Sequence, residues 1–205
     1  MKDGVNCIIH FVNNGKIMKI RWNACYAAGN VLKKEELSKN YSWKVNLIDC
    51  LVEIVLNHQN FKVRINAALA LGSPVCRETL GEQYWAVLAS LLDSLGNTHD
   101  HEVAGEWTHM ENLRDQLVLS LCHLVSLCRQ EKEFVRICSL IHDNYDLVES
   151  SIKMSSKRIS PEKSSPFLAV AETAEGLGRS GQGGREDVLL VTKMLTHLAV
   201  LDLGL

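Results

Sequence analysis

Apolar residues recur along most of this chain at spacings of three and four, the period of one helical face. Across residues 43–58, Val45, Ile48, Leu51, Val52 and Val55 cover most of a helix circumference. Such a helix is covered on more than one side. Val63, Ala67, Ala70 and Leu71 mark one face of a helix over residues 61–71, after a short turn at 57–60. Ile20, Ala24, Ala27 and Ala28 mark the matching face of a helix that begins at Lys19 and ends near Lys33, followed by a polar loop over 34–42. Residues 5–13 read as the end of a helix whose front half is missing, so the chain before Lys19 is expected to be poorly packed.

Downstream, Thr79-Leu80-Gly81-Glu82 reads as a capping box that opens a helix to Leu95, its stripe being Trp85, Leu88, Leu91, Leu92 and Leu95. A second box, Thr108-His109-Met110-Glu111, opens a helix to about Cys128 with Leu113, Leu117, Leu121, Leu124 and Leu127 on one side. Residues 131–153 read as one long amphipathic helix through Phe134, Ile137, Cys138, Ile141, Tyr145, Val148 and Ile152. With only 3 prolines and no two-residue alternation of β-branched side chains, the expected fold class is all-α.

One stretch is written twice. Lys19-Ile20-Arg21-Trp22-Asn23-Ala24-Cys25-Tyr26-Ala27-Ala28-Gly29 returns as Lys62-Val63-Arg64-Ile65-Asn66-Ala67-Ala68-Leu69-Ala70-Leu71-Gly72, an offset of 43 residues. Lys, Arg, Asn, two alanines and the closing glycine keep their places. Self-similarity at such a period means one supersecondary unit stacked on its copy. Alanine on the packing face lets a neighbouring helix approach closely, and Gly29 and Gly72 are expected to end their helices with positive φ.

Val63-Arg64 followed by Ala67-Ala68-x-Ala70-Leu71-Gly72 resembles the second helix of a HEAT repeat. The resemblance extends over about residues 1–150 and implies a HEAT/armadillo-like α-solenoid of antiparallel helix pairs. The first pair is truncated, about three pairs follow one another, and a closing helix reaches residue 153. HEAT turns often carry an Asp that pairs with the helix Arg. This chain has none there, and Asn14 and Asn60 stand nearest.

Composition changes after residue 153. Residues 154–187 are rich in Ser, Gly and charge and read as a disordered linker that includes the glycine run at 176–184. Residues 188–205 read as a short apolar helix of open packing, interrupted by Lys193, His197 and Asp202. The formal net charge of -2 hides an asymmetry. Residues 1–75 hold 10 basic and 5 acidic side chains, 76–150 hold 5 and 13, and the rest hold 7 and 6. Such a distribution bears on association rather than on fold. The basic residues are not interleaved with aromatics and the middle of the chain is acidic, which argues against nucleic acid as a partner. Seven scattered cysteines without a CxxC read as reduced, buried thiols of an intracellular protein, cytoplasmic or nuclear and not secreted. No apolar run is long enough for a membrane span.

The chemistry-bearing candidates are few. Lys19, Arg21, Asn23, Lys62, Arg64 and Asn66 recur in register and form the candidate partner-binding surface, since guanidinium forks hold carboxylates or phosphates. The competing reading has each Arg bracing its own repeat by bonding turn carbonyls. His99, Asp100, His101 and Glu102, with His109, carry zinc-ligand types but lie in a predicted loop without a rigid frame. A metal-binding or enzymatic protein built on His99, His101 and His109 is the alternative from another class. Ser160-Pro161 and Ser165-Pro166 mark Ser160 and Ser165 as candidate phosphorylation sites. No phosphate-binding glycine loop and no nucleophile elbow occur. The expected function is a non-enzymatic scaffold or adaptor for other proteins, with no cofactor, small-molecule substrate or membrane. A shortened product without independent function is a further reading.

Overall fold

The structure, a computed structural model, describes residues 2–38, 42–98, 107–180 and 186–201. Every regular element among them is helical: α1 (Lys2–Asn14), α2 (Met18–Leu32), α3 (Ser42–Asn57), α4 (Phe61–Leu71), α5 (Tyr84–Gly96), α6 (Trp107–Ser126), α7 (Glu131–His142), α8 (Tyr145–Ser156), α9 (Ser165–Ser180) and α10 (Glu186–Leu201). The chain divides into two compact units, Met1–Ser120 and Leu121–Leu205.

In the first unit α1 pairs with α2 and α3 with α4, while α1 lies against α3 and α2 against α4. The two written copies are thus two helix pairs, like helix against like. The α2–α4 interface is an extensive one. Its face is built from Ala24, Cys25, Ala28, Val63, Ala67, Ala68 and Leu71, all buried. Ile20 departs from that face, being 40% exposed where its counterpart Val63 is fully covered. A third first-helix, α5, lies against α3. Val5 and Val12 of α1 are covered, so the stretch before Lys19 is better packed than its sequence suggests.

Glycine serves this packing by absence of a side chain, and not by positive φ. Gly29 lies within α2, where an added Cβ would meet Ala70 Cα at 3.1 Å and Ser73 Oγ at 3.1 Å. Gly72 caps α4 at φ -85 and ψ 12, a conformation open to any residue. An added Cβ there would meet Ser120 Oγ at 2.5 Å and Ser120 Cα at 2.9 Å. Among the described residues the glycine with positive φ is Gly81, at φ 54.

Gly81 opens the second of two 3-10 turns, Arg77–Thr79 and Gly81–Gln83, where a helix opened by a capping box was expected. Thr79 is fully buried, with its hydroxyl 3.2 Å from Cys76 Sγ, so it is spent on the turn and α5 begins only at Tyr84. The second expected box also fails, because α6 starts at Trp107 and takes Thr108 into its first turn.

In the second unit the expected single helix over 131–153 is two, α7 and α8, broken at 143–144. Asn144 at φ -123 and ψ 27 breaks it, and its side chain bonds back to Leu140 O at 3.0 Å. The expected disordered linker over 154–187 is corrected more heavily. Its residues 165–180 form α9, which buries Phe167, Val170, Ala171 and Ala174. Helix α10 lies along α9 and α7, with Val188, Val191, Met194 and Leu195 covered. Ser139 of α7 donates to Asp187 Oδ2 at 3.0 Å, which ties the start of α10 down. Four apolar residues at helical spacing outweigh a Ser- and Gly-rich composition once a second amphipathic helix can cover them. Pro166 in the first turn of α9 is where a helix tolerates proline. The part of the glycine run at 181–184 lies outside the described residues.

Candidate functional site

Three arginines occupy one structural role in the first unit. Arg21 donates through Nη2 to Asn13 O at the end of α1. Arg64 donates from Nε to Val55 O, near the end of α3, at 2.9 Å. Arg114 donates from Nη2 to Thr98 O, just past α5, at 3.2 Å. Each guanidinium therefore takes up a carbonyl that the preceding helix leaves without an intrahelical donor. Arg114 was missed by reading for identity, because its segment keeps only an apolar-Arg-x-x-apolar-apolar outline in Leu113-Arg114-Asp115-Gln116-Leu117-Val118. That outline was the available signal.

Two of these arginines also reach into the next helix pair. Arg64 Nη2 donates to Ser94 Oγ of α5 at 3.0 Å, and Ser94 Oγ in turn donates to Val55 O at 3.2 Å. Arg64 is 7% exposed, and burial alone lowers its pKa. Its guanidinium is thus a brace and does not face solvent. Arg21 Nη1 lies 2.8 Å from His58 Nε2, in the turn after α3. The two joints match in position but differ in chemistry, with a hydroxyl in one and an imidazole in the other.

The Arg21 joint opens onto a cleft of ≈ 580 Å³ lined by Met18, Arg21, Asn57, His58, Gln59 and Asn60. That size falls within the range of ligand pockets. The turn is fixed by Asn60, whose side chain caps α4 by accepting from Val63 N at 3.2 Å. The Asn60 backbone N–H donates to His58 Nδ1 at 3.0 Å. Burial lowers the His58 pKa from its ordinary 6.5 and the positive charges of Arg21 and Arg64 lower it further, against an opposing backbone hydrogen bond at Asn60. Arg21 Nε is buried with no hydrogen-bond partner among the described residues.

The remaining predicted surface residues lie on the solvent side of α2 and α4. Lys19, Asn23 and Lys62 are exposed and Asn66 is half-buried, its amide donating to Lys62 O at 2.8 Å. Lys62 Nζ sits 5.3 Å from the centre of the Trp22 ring, so the two helices are linked on this face by a cation–π contact. Tyr26 (56% exposed) and Leu69 (37% exposed), which occupy equivalent places in the repeat, add apolar area beside the ammonium groups. Neither Trp22 nor Tyr26 was singled out as a surface residue from sequence, although both lie inside the repeated stretch.

His109 is exposed at the start of α6, and its ring stacks on Phe61 with centroids 6.3 Å apart. His99, Asp100, His101 and Glu102 lie outside the described residues. Among the described residues no three His, Cys, Asp or Glu side chains come together as a metal site. Ser160 and Ser165 are both exposed, and Ser165 opens α9, where a phosphate would meet the positive end of the helix. Of the cysteines, Cys25, Cys122, Cys128 and Cys138 are buried as expected, but Cys7 is exposed and Cys50 and Cys76 are intermediate. Burial pushes the Cys25 and Cys122 thiols up to about 12. Among the described residues no helix is long and apolar enough to cross a membrane. No protein-family model matches the chain, and no solved structure matches it.

Proposed function

We propose that this chain is a non-enzymatic interaction scaffold of HEAT-like helix pairs, and that the solvent face of α2 and α4 docks an acidic segment of a partner protein. The carrying observation is the Lys62–Trp22 contact across the two helices, flanked by Lys19, Asn23, Tyr26 and Leu69. Neither Lys19 nor Lys62 has a carboxylate partner among the described residues. Unneutralised ammonium groups set beside exposed aromatic and aliphatic area suit a segment that alternates acidic and apolar side chains. Stacked helix pairs present such faces as extended binding surfaces. Arg64 supports the reading only indirectly, by holding α4 against α5. The neutral character of the reading, binding without chemistry, follows from the residue types that the face offers: amines, amides and rings, without a nucleophile and base within reach of one another.

The test is fluorescence anisotropy with a labelled peptide of alternating Glu and Leu, set against its Lys-for-Glu counterpart. Saturable binding of the acidic peptide, weakened by added salt and abolished in a Lys19→Glu, Lys62→Glu double variant with unchanged helical melt, supports the proposal. Equal binding by the double variant would sink it.

A further inference from the structure

We propose that the cleft between the start of α2 and the α3–α4 turn is an oxyanion site, in which the Arg21 guanidinium and the His58 Nε2–H together hold a carboxylate- or phosphate-type group. The argument begins with the imidazole. Both of its nitrogens face donors, Arg21 Nη1 at 2.8 Å from Nε2 and the Asn60 backbone N–H at 3.0 Å from Nδ1. A neutral imidazole has one acceptor nitrogen and one N–H, so it can accept from only one of them. The Asn60 backbone N–H has no other acceptor among the described residues and precedes a helix, whereas Arg21 borders the cleft. A backbone N–H in a part-buried turn requires its acceptor. Nδ1 therefore accepts from Asn60, and Nε2 carries the proton.

It follows that Nε2–H and Arg21 Nη1 confront one another as two donors 2.8 Å apart. Such a pair is relieved by an acceptor that both can reach, and an oxyanion with several lone pairs suits two converging donors. The other cleft residues are a methionine, two asparagines and a glutamine, so no carboxylate lines the cleft to neutralise Arg21. Glu53, one turn before Asn57, is held by the Asn57 amide at 3.0 Å. The charged groups acting on His58 are Arg21 from α2 and Arg64 from α4, both positive. The corresponding joint at Arg64 has no such surplus, because the Ser94 hydroxyl accepts from Arg64 and donates to Val55 O. The Arg21 joint, unlike the Arg64 joint, is built one acceptor short.

The test uses inorganic anions alone, so it is independent of whether an acidic segment docks on the neighbouring helix face. Long-range 1H–15N spectra of the uniformly labelled chain, with His58 assigned through His58→Gln, report which ring nitrogen is protonated. In chloride at pH 7 the Nδ1-acceptor, Nε2–H form is expected. Sodium sulfate or sodium acetate, at ionic strength matched with chloride, should then shift the His58 signals saturably and raise its pKa. A stronger response to sulfate identifies a phosphate-type ligand, and a stronger response to acetate a carboxylate. In Arg21→Gln the apparent affinity should fall about tenfold or more, the loss of one charge-assisted contact. Arg21→Lys, which keeps the charge but loses the fork, serves as the second variant should Arg21→Gln fail to fold. The proposal is overturned if Nε2 is the unprotonated nitrogen, if neither anion shifts His58 beyond chloride, or if the variants respond like the wild type.

Discussion

Replacing Gly72 by alanine tests the close approach of α4 and α6 most directly. The backbone at Gly72, φ -85 and ψ 12, accepts an alanine without strain, so within the folded state the effect of the substitution is one of space. The added Cβ would lie 2.5 Å from Ser120 Oγ, 2.6 Å from Ser120 Cβ and 2.9 Å from Ser120 Cα. A rotamer change removes only the first of these contacts. The other two demand that the helices separate, which also stretches the Ser120 Oγ to Ala68 O bond of 2.9 Å. Overpacking of this kind costs about 1–3 kcal/mol, and the reduced freedom of the unfolded chain returns about 0.4–1 kcal/mol. The net loss is about 1–2 kcal/mol, or a fall in Tm of about 2–8 °C for a chain of this length. Thermal melts followed by circular dichroism read it. Ser120→Gly in the Gly72→Ala background should recover part of the loss, a coupling that a double-mutant cycle isolates. Gly176→Ala is the internal control: Gly176 is an exposed position in α9 with nothing within 4 Å of an added Cβ, so alanine should stabilise by about 0.5–1 kcal/mol. A Gly72→Ala protein as stable as wild type would refute the proximity of α4 and Ser120.

Other parts of the structure give further expectations. Phe167→Ala should destabilise the second unit by about 3 kcal/mol, because a 6%-exposed ring is lost from its core; limited proteolysis should then cut within 165–180, whereas a chain disordered there would be cut equally with or without the substitution. His58 has a folded pKa below its ordinary 6.5, so the unfolded chain binds the proton more readily. Its contribution is complete above pH 6.5 and is lost as pH falls toward the folded value; urea midpoints should rise with pH across that window, and less steeply in His58→Gln. Thiol titration at pH 8 should modify exposed Cys7 quickly and leave Cys25 and Cys122, with thiols at about 12, untouched until denaturant is added. Rapid labelling of Cys25 in the native protein would contradict the packing of α2 on α4.

The second helix pair was legible almost to the residue. Residues 43–58 and 61–71 correspond to α3 (Ser42–Asn57) and α4 (Phe61–Leu71) because apolar period and turn chemistry agree there, with Asn60 supplying the cap. Elsewhere the decisive contact was too distant in sequence to be read. Gly29 and Gly72 look like helix terminators, yet their partners, Ala70 and Ser120, lie dozens of residues away. The 79–82 segment has the letters of a capping box, but Thr79 faces Cys76 in a buried turn, which local pattern does not report. Helix α9 was hidden because composition averages over the residues between Phe167, Val170, Ala171 and Ala174, whereas packing depends on those four alone. For the site, the repeated Arg was visible, and so were the two readings of it, a shared ligand surface or a brace within each repeat. The His58 contact was not, since it joins residues 37 apart through a side chain that has no counterpart in the repeat.

The seam of small residues in the first unit has a consequence for how such a chain can grow. Gly29 receives Ala70, which stands six positions after Arg64; Gly72 receives Ser120, which stands six positions after Arg114. The second helix pair therefore carries both halves of the same joint, a notch at Gly72 and a small plug at Ala70, six positions after its arginine. A tandem copy of one period arrives already fitted to its parent on either side, without a new interface having to be invented. Divergence is then free to act on the outward residues, while the notch and the plug of neighbouring copies must change together.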